Sequence, residues 1–295
     1  MNLGYACINL SLGDRKITTN RSLTKKTFDK LGSDRVSELA LKNTTDLLEI
    51  LKWNHQNGVK LFRISSELIP RGDMIKLSDL KDFELIKQNL KAAGDFAHSV
   101  GQRLTFHPGP FNVLPTKSEA ALINTITNLE MHGLILDLLG TSNTPYNKIN
   151  IHCNGVHGDK EASLDRFSEN FKLLSDSVRS RLTVENDDKA GMYSVKDLMR
   201  IHEKTGIPIV MDYHHHKFCT GGLSEKDALE LAISTWPKGI TPIIHYSESA
   251  VGKRAQAHSD YIKQLPQLYG YDVDVMVEAK MKEKTILPWL TKFNS

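Results

Sequence analysis

Side chains that can bind metal ions close most of the short apolar runs in this chain. In chain order these residues are Asn9, Glu67, His107, His152, Glu185, Asp212, His245 and Glu278, with His215 three positions after Asp212. Mixed imidazole and carboxylate ligands suit Zn²⁺, Mn²⁺ or Fe²⁺ better than Mg²⁺ or Ca²⁺, which prefer oxygen. A carboxylate in the middle of the set, such as Glu185, could bridge two ions about 3.5–4 Å apart, as two-metal phosphoryl transfer requires.

Each of these residues also has a simpler interpretation. A lone histidine or aspartate at a strand end is usually a hydrogen-bonded buried group or a helix cap. The case rests on the set, because several charges and imidazoles in one cavity are costly unless they are paired or bound to metal. The set therefore predicts a cluster of divalent ions.

The apolar runs themselves predict eight buried parallel strands, because they are short and show no strict alternation. The predicted strands are Leu3–Asn9, Leu61–Ser65, Arg103–His107, Ile149–Cys153, Arg181–Glu185, Ile207–Asp212, Thr241–His245 and Asp272–Glu278. Segments whose apolar residues have helical spacing lie between the predicted strands. This spacing is clearest at 83–100 and at 164–178, where apolar residues recur every three or four positions. Gly58, Gly101 and Gly206 follow helical stretches, where a left-handed C-cap is favoured.

Eight strands that alternate with helices predict one (β/α)₈ TIM barrel over residues 1–295, as a single metal-dependent domain. In such a barrel the strand ends converge on one mouth, which brings the candidate ligands together. The alternative is an open doubly wound sheet. The turn NLSLGDRK after the first strand lacks the GxGxxG pattern typical of that fold.

Composition narrows the class of protein. Of 295 residues, 40% are apolar and 25% charged, which is typical of soluble globular proteins, and the net charge is +3. Three cysteines without a CxxC pair exclude a disulfide scaffold and a cysteine zinc finger. The N-terminus does not resemble a signal peptide, and no apolar window approaches membrane length. We therefore expect a cytoplasmic protein (nuclear in a eukaryote), without a membrane partner and monomeric.

The segment from Asp14 to Arg35 is the most basic long connection, with seven Lys or Arg and three Asp residues. A solvated loop is the ordinary interpretation of such a charge run. Because the segment follows the first strand, it is also predicted to contact phosphate. The four histidines at 55, 98, 132 and 202 lie in helical stretches and are expected to face solvent or the outer layer.

Eight sequence blocks then resemble a known family. They are LGYACINLSLG, TTNRSL, LFRISSELIP, RLTFHPGPF, GDKEASLDRF, LTVEND, IVMDYHHH and VMVEAKMKE. In this order they resemble the UV-damage endonucleases, which are related to endonuclease IV and to xylose-isomerase-like barrels. The resemblance implies a TIM barrel with two to three divalent ions, most commonly Mn²⁺ with Zn²⁺ or Mg²⁺ possible. It further implies that the chain nicks damaged double-stranded DNA immediately 5′ to UV photoproducts, leaving 3′-OH and 5′-phosphate ends.

The resemblance also implies roles for individual residues. The first ion would bind His107 and His152, the second Asp212, His245 and Glu278, and the third His215 and His258, with Glu185 shared by the first two. The implied catalytic residues are Glu185, His107, Asp212, His245 and Glu278. The implied DNA and lesion contacts are Tyr5, Asn9, Pro110 and Phe111. Apart from the resemblance, five basic residues are candidate phosphate contacts, with an ordinary solvated surface as the alternative: Arg21, Lys25, Lys217, Lys253 and Arg254.

The chain departs from the family pattern at three positions. Pro110 replaces a glutamine that precedes the aromatic residue probing the lesion. Ile243 stands where some members carry a lysine that can be carboxylated, and Gln256 where related endonucleases have an aspartate. The third ion then has no carboxylate ligand unless Glu67 or Glu248 supplies one, and it is expected to bind most weakly. A metal-dependent sugar isomerase or epimerase on the same barrel remains the alternative function.

Overall fold

Eight short parallel strands alternate with helices in the computed structural model, which describes residues 1–293, with side chains to Thr291. The strands are β1 Leu3–Cys7, β2 Leu61–Ile64, β3 Arg103–Thr105, β4 Ile149–His152, β5 Leu182–Glu185, β6 Ile209–Val210, β7 Ile243–Tyr246 and β8 Asp274–Val277. All eight predicted strands are confirmed. They are shorter than predicted, so that His107 and Asp212 lie just beyond their strands.

Nine α-helices cover the strands in the described part of the chain. They are α1 Lys25–Gln56, α2 Phe83–Ser99, α3 Glu119–Leu138, α4 Lys160–Phe171, α5 Asp176–Arg179, α6 Val195–Thr205, α7 Tyr213–His216, α8 Glu225–Ser234 and α9 Glu283–Phe293. None of these helices is long and apolar enough to cross a lipid bilayer.

The strands form a closed ring. β3, β2, β1, β8 and β7 pair in that order in one sheet, and β4, β5 and β6 pair in a second. Two isolated parallel bridges join the sheets, one between Phe106 and Ile149 and the other between Asp212 and His245. The strand order therefore runs once around a (β/α)₈ barrel, and the predicted fold class is confirmed.

Local sequence accounts for the helix boundaries and corrects two predictions. α1 begins at Lys25, inside the predicted loop, because the Thr24 side chain accepts a hydrogen bond from the backbone N–H of Thr27. The apolar period at 164–178 is not one helix: α4 ends at Phe171, and Ser175 caps the separate α5. Gly206 has a φ of 75° at the end of α6, as the predicted left-handed cap requires.

The barrel interior is partly polar. Lys148, immediately before β4, and Asn150 and His152 within it alternate along the chain and so share its inward face. Arg103 on β3 pairs with Asp274 at 3.0 Å, with side chains 1% and 4% exposed. His132 was expected to face outward, but it is buried: it packs edge-on against Phe106, and its Nδ1 lies 2.7 Å from the Asn128 carbonyl oxygen.

Candidate metal centre

Glu185 lies at the centre of the barrel mouth. It ends β5, it is 0% exposed, and its Oε2 lies 3.1 Å from His107 Nε2 and 3.0 Å from His245 Nδ1. Its Oε1 lies 3.4 Å from His215 Nδ1 and 3.9 Å from His152 Nε2. One carboxylate from β5 thus faces imidazoles that lie at the ends of four other strands or just beyond them, as convergence at the mouth of a barrel requires.

Three overlapping groups could each hold a metal ion. Their members are His107, His152 and Glu185; Glu185, Asp212 and His245; and His107, His245 and Glu278, with the ligand atoms of each group within 4.8 Å of one another. All six ligands predicted for the first two ions therefore lie together. Glu185, His107 and His245 each belong to two of these groups, and Glu278 joins His107 and His245 rather than Asp212. The sharing of Glu185 between two ions therefore stays a prediction.

The chemistry of the donor set fits divalent metal. Glu185 Oε1 and Asp212 Oδ2 are buried without a hydrogen-bond partner, and so is His258 Nδ1. Buried polar atoms are normally bonded, and metal coordination would satisfy these three. Imidazole and carboxylate donors together favour Mn²⁺, Fe²⁺ or Zn²⁺.

The two histidines predicted to bind the third ion lie farther apart. The rings of His215 and His258 are 6.4 Å apart between centroids, and His214 lies closer to His258, at 5.4 Å. His215 follows Asp212 in the one-turn helix α7, where Asp212 Oδ1 accepts a hydrogen bond from the His215 backbone N–H at 2.8 Å. Among the described residues, this pair forms no three-ligand group with a carboxylate of its own.

Neighbouring charges shift the pKa values of the ligands. Burial acts to raise the pKa of Glu185, but the imidazoles of His245 and His152 outweigh it and hold that pKa well below its usual value. Burial lowers the pKa of His107 to about 4. Burial acts in the same sense on His215, but Asp212 and Glu185 raise its pKa to about 9. At neutral pH the site thus mixes neutral and protonated imidazoles.

Residues beneath the ligands hold them in place, and sequence reasoning did not select these residues. Arg63 on β2 forms an ion pair with Glu278, and the Asn150 side chain donates a hydrogen bond to Glu185 Oε2. Lys148 Nζ lies 3.0 Å from His245 Nε2, and burial lowers the pKa of this lysine to about 7. The sequence contains a pattern that could have identified Lys148 and Asn150. They lie four and two positions before His152, so that in a strand all three side chains share one face.

The predicted lesion contacts occupy different environments. Phe111 follows β3 and is 90% exposed at the mouth, next to the exposed Pro110. Tyr5 is 0% exposed, because its hydroxyl donates to Asn54 Oδ1 at 2.7 Å and accepts from Asn9 Nδ2 at 2.9 Å. Tyr5 and Asn9 are thus almost fully buried, at 0% and 3% exposed, and they support the start of the first loop. Their direct contact with DNA stays a prediction.

The predicted phosphate contacts also differ. The Arg21 guanidinium is already used within the chain, where it bonds Asp46 Oδ2 at 2.7 Å and the carbonyl oxygen of Thr18 at 2.6 Å. These bonds anchor the first loop on α1, which does not favour a role in phosphate binding. Lys253 and Arg254 are exposed at the tip of the loop after β7 and remain candidates.

Comparison with known proteins decides the family. The sequence pattern of the UV-endonuclease UvdE family matches residues 1–295. The chain belongs to this family. A UV DNA damage endonuclease of Clostridium perfringens is 34% identical over 96% of this chain and 68% of its own length. The sugar isomerase alternative is therefore set aside, and the chain is a nuclease of the UvdE family.

Solved structures agree with this assignment. The crystal structure of SacUVDE superimposes with a TM-score of 0.88 at 33% identity, over 100% of this chain and 98% of that one. Endonuclease IV from Thermus thermophilus shares the fold, with a TM-score of 0.59 at 14% identity over 99% of this chain and 100% of the other.

Proposed function

We propose that this UvdE-family chain nicks duplex DNA immediately 5′ to UV photoproducts by metal-assisted hydrolysis of the phosphodiester. The observation that carries the proposal is the pair of ligand groups that share the buried Glu185 at the mouth of the barrel. The substrates would include cyclobutane dimers and 6-4 photoproducts, and possible further substrates are abasic sites. The expected products carry 3′-OH and 5′-phosphate ends.

His107, His152, Asp212, His245 and Glu278 would hold divalent ions around Glu185. This donor set suits Mn²⁺, Fe²⁺ and Zn²⁺, and the family resemblance implies Mn²⁺ among them. Such ions, when bound, stabilise negative charge on a phosphate and lower the pKa of an attacking water. His215 and His258 would hold a third ion more weakly, since neutral imidazoles alone do not offset the charge of a dication.

The protein's own part is to keep these donors in position before DNA arrives. Asn150 holds one Glu185 oxygen and Arg63 holds Glu278, so neither carboxylate has to reorganise when the substrate binds. Arg63 also keeps the Glu278 pKa well below its usual value, against the effect of burial, and thereby keeps this carboxylate ionised as a ligand.

Damage recognition depends on the ease of unstacking. Damaged nucleotides must leave the duplex to reach a buried site, and a distorted dipyrimidine costs less to extrude than normal bases. Phe111, exposed beside the mouth, is suited to fill the gap as an apolar wedge. With Pro110 in the preceding position, no side-chain hydrogen bond assists Phe111, so selectivity would rest on shape and stacking.

A panel of otherwise identical duplexes tests the proposal. The duplexes carry a cyclobutane dimer, a 6-4 photoproduct, an abasic site or no damage. Each duplex is incubated with protein from which a chelator has removed metal, with and without added Mn²⁺. We expect Mn²⁺-dependent nicking of both photoproducts and little nicking of undamaged duplex. Equal nicking of all four duplexes would contradict the proposed damage specificity, and nicking without metal would contradict the mechanism.

A further inference from the structure

The loop between β7 and β8 contains a short β-hairpin at the mouth of the barrel. Ser249 and His258 form an antiparallel bridge, and the Ala250 N–H donates to the Ala257 carbonyl oxygen at 2.7 Å. The tip, residues 251–255, is exposed throughout. Gly252 turns the chain there with a φ of 72°. We call residues 249–258 the β7 hairpin.

The tip carries an apolar side chain that has no apolar neighbour to cover it. Val251 is 89% exposed, which matches the 90% of Phe111, whereas the next most exposed large hydrophobic residue among those described is Leu173 at 59%. Isolated apolar residues on a surface are ordinary, but two almost fully exposed ones at the mouth of a nuclease point to a partner that covers them.

The charges beside Val251 indicate which partner. Lys253 and Arg254 lie two and three positions later at the same tip, and within the described chain neither forms an ion pair. An apolar side chain flanked by unpaired cations matches the elements that enter a DNA groove, where the cations contact phosphates and the apolar group inserts at a base step.

The strand order places this tip across the mouth from Phe111. Phe111 follows β3 and Val251 follows β7, and these strands are four places apart in the ring of eight. The ligands around Glu185 lie between them. A duplex that spans the mouth can therefore meet an exposed apolar side chain on each side of the bond to be cut.

We propose that the β7 hairpin is a second DNA-inserting arm, in which Val251 enters the duplex on the side of the lesion away from Phe111 and Lys253 and Arg254 hold the flanking phosphates. This inference rests on the proposed function and adds to it a second point of contact. Because His258 lies at the base of the hairpin, the arm is also continuous with the predicted third metal site.

The test uses Val251→Ser, Phe111→Ala and a matched control, Leu173→Ser. Leu173 is exposed but lies after α4, at the opposite end of the barrel. Two duplexes each carry one cyclobutane dimer, with 2-aminopurine either 5′ or 3′ of it, because 2-aminopurine fluorescence rises when a base unstacks. We expect the wild-type protein to raise the signal in both duplexes. With the Val251→Ser variant the rise in fluorescence should be absent from one duplex, and with the Phe111→Ala variant it should be absent from the other.

Affinity provides a second measurement. Val251→Ser should bind the damaged duplex about fivefold or more weakly, as loss of an inserting apolar group does. The double variant Lys253→Ala with Arg254→Ala should reduce the magnitude of the slope of log affinity against log salt by about 1.8, since each lost phosphate contact removes about 0.9. Lys238→Ala, at the opposite end of the barrel, should leave the slope unchanged.

The outcomes separate the two proposals. A wild-type protein that nicks the damaged duplex, together with a Val251→Ser variant that matches it in fluorescence and affinity, would overturn the arm and leave the proposed function standing. A wild-type protein that nicks no damaged duplex would overturn the proposed function instead. Metal content is measured for each variant, and a Val251→Ser protein that loses metal would show that the hairpin only supports His258, which also overturns the arm.

Discussion

Replacing Glu185 with glutamine should remove metal from the centre of the site without unfolding the protein. The side chain is 0% exposed, with histidine nitrogens 3.0 and 3.1 Å from its Oε2. Glutamine has the same shape but no charge, and one end of its amide is a donor that cannot coordinate a cation. Its oxygen can still accept the hydrogen bond from Asn150, so we expect the local fold to persist.

The magnitude follows from the burial of this carboxylate. Removing one partner from a buried ionic contact costs about 3–5 kcal/mol. With about 1.36 kcal/mol for each factor of ten, this corresponds to Mn²⁺ binding that is about 150- to 5000-fold weaker. Because Glu185 belongs to two of the three ligand groups, the loss should affect two ions together.

The assay is a Mn²⁺ titration by calorimetry, combined with the nicking rate and with thermal unfolding of the chelated proteins. Glu67→Gln is the matched control, because Glu67 lies at the same mouth but bonds Ser22 Oγ at 2.6 Å and belongs to none of the ligand groups. We expect the control to bind Mn²⁺ like the wild type. A Glu185→Gln variant that kept more than a tenth of wild-type nicking, or lost less than tenfold in Mn²⁺ affinity, would refute the bridging role.

Three further predictions follow from the same geometry. Phe111→Ala should weaken binding to damaged duplex by about 1–3 kcal/mol and leave metal content unchanged; an equal loss on undamaged duplex, measured by fluorescence anisotropy, would show that the ring does not sense damage. His215, with its pKa raised to about 9, is protonated near neutral pH and must lose its proton to bind metal, so Mn²⁺ affinity should rise with pH until about 9. Calorimetry in buffers of different ionisation enthalpy should detect the released proton, and a pH-independent affinity would contradict this. Lys148→Met should weaken Mn²⁺ binding about 10- to 100-fold, because it removes the amino group that lies 3.0 Å from His245 Nε2. Urea unfolding of this variant should show little loss of stability. An unchanged Mn²⁺ affinity would show that His245 needs no such support.

The strands, and the meeting of the candidate ligands at one mouth, could be predicted from the sequence because both depend on local pattern. A short apolar run that ends in a metal-competent side chain marks a buried parallel strand, and the barrel then brings the ends together. His152 and Glu185, for example, close neighbouring strands and are directly paired in register. No knowledge of side-chain packing is required for that step.

The environments of individual side chains could not be predicted, since they depend on contacts that are distant in the chain. Tyr5 is buried because it bonds Asn54, a residue of α1 that lies 49 positions away. The Arg21 guanidinium bonds Asp46, which also lies on α1 and is 25 positions away. Nothing in the residues near Tyr5 or Arg21 distinguishes these arrangements from exposed ones.

Lys148 and Arg63 show a different kind of omission. Arg63 lies within a predicted strand and Lys148 comes immediately before one, and a charged residue at such a position is ordinarily assigned to solvent. In this barrel two basic residues lie beside the ligands: Arg63 forms an ion pair with Glu278, and Lys148 Nζ lies 3.0 Å from His245 Nε2. Once several ligands are placed at a mouth, basic residues on the inward face of the barrel are therefore candidates for their supports.

The central claim is that the donors around Glu185 hold the ions that cleave damaged DNA, and the position and metal dependence of the cut test it most directly. The chelated protein is incubated with an end-labelled duplex that carries one cyclobutane dimer while Mn²⁺ is added stepwise, and the product ends are mapped at nucleotide resolution. For the wild-type protein we expect one cut immediately 5′ to the dimer, with a 3′-OH end, and we expect the amount of this cut to rise in proportion to the bound Mn²⁺. The Glu185→Gln variant should make no such cut. Cutting that is independent of bound Mn²⁺, or that falls equally on undamaged duplex, would contradict the account.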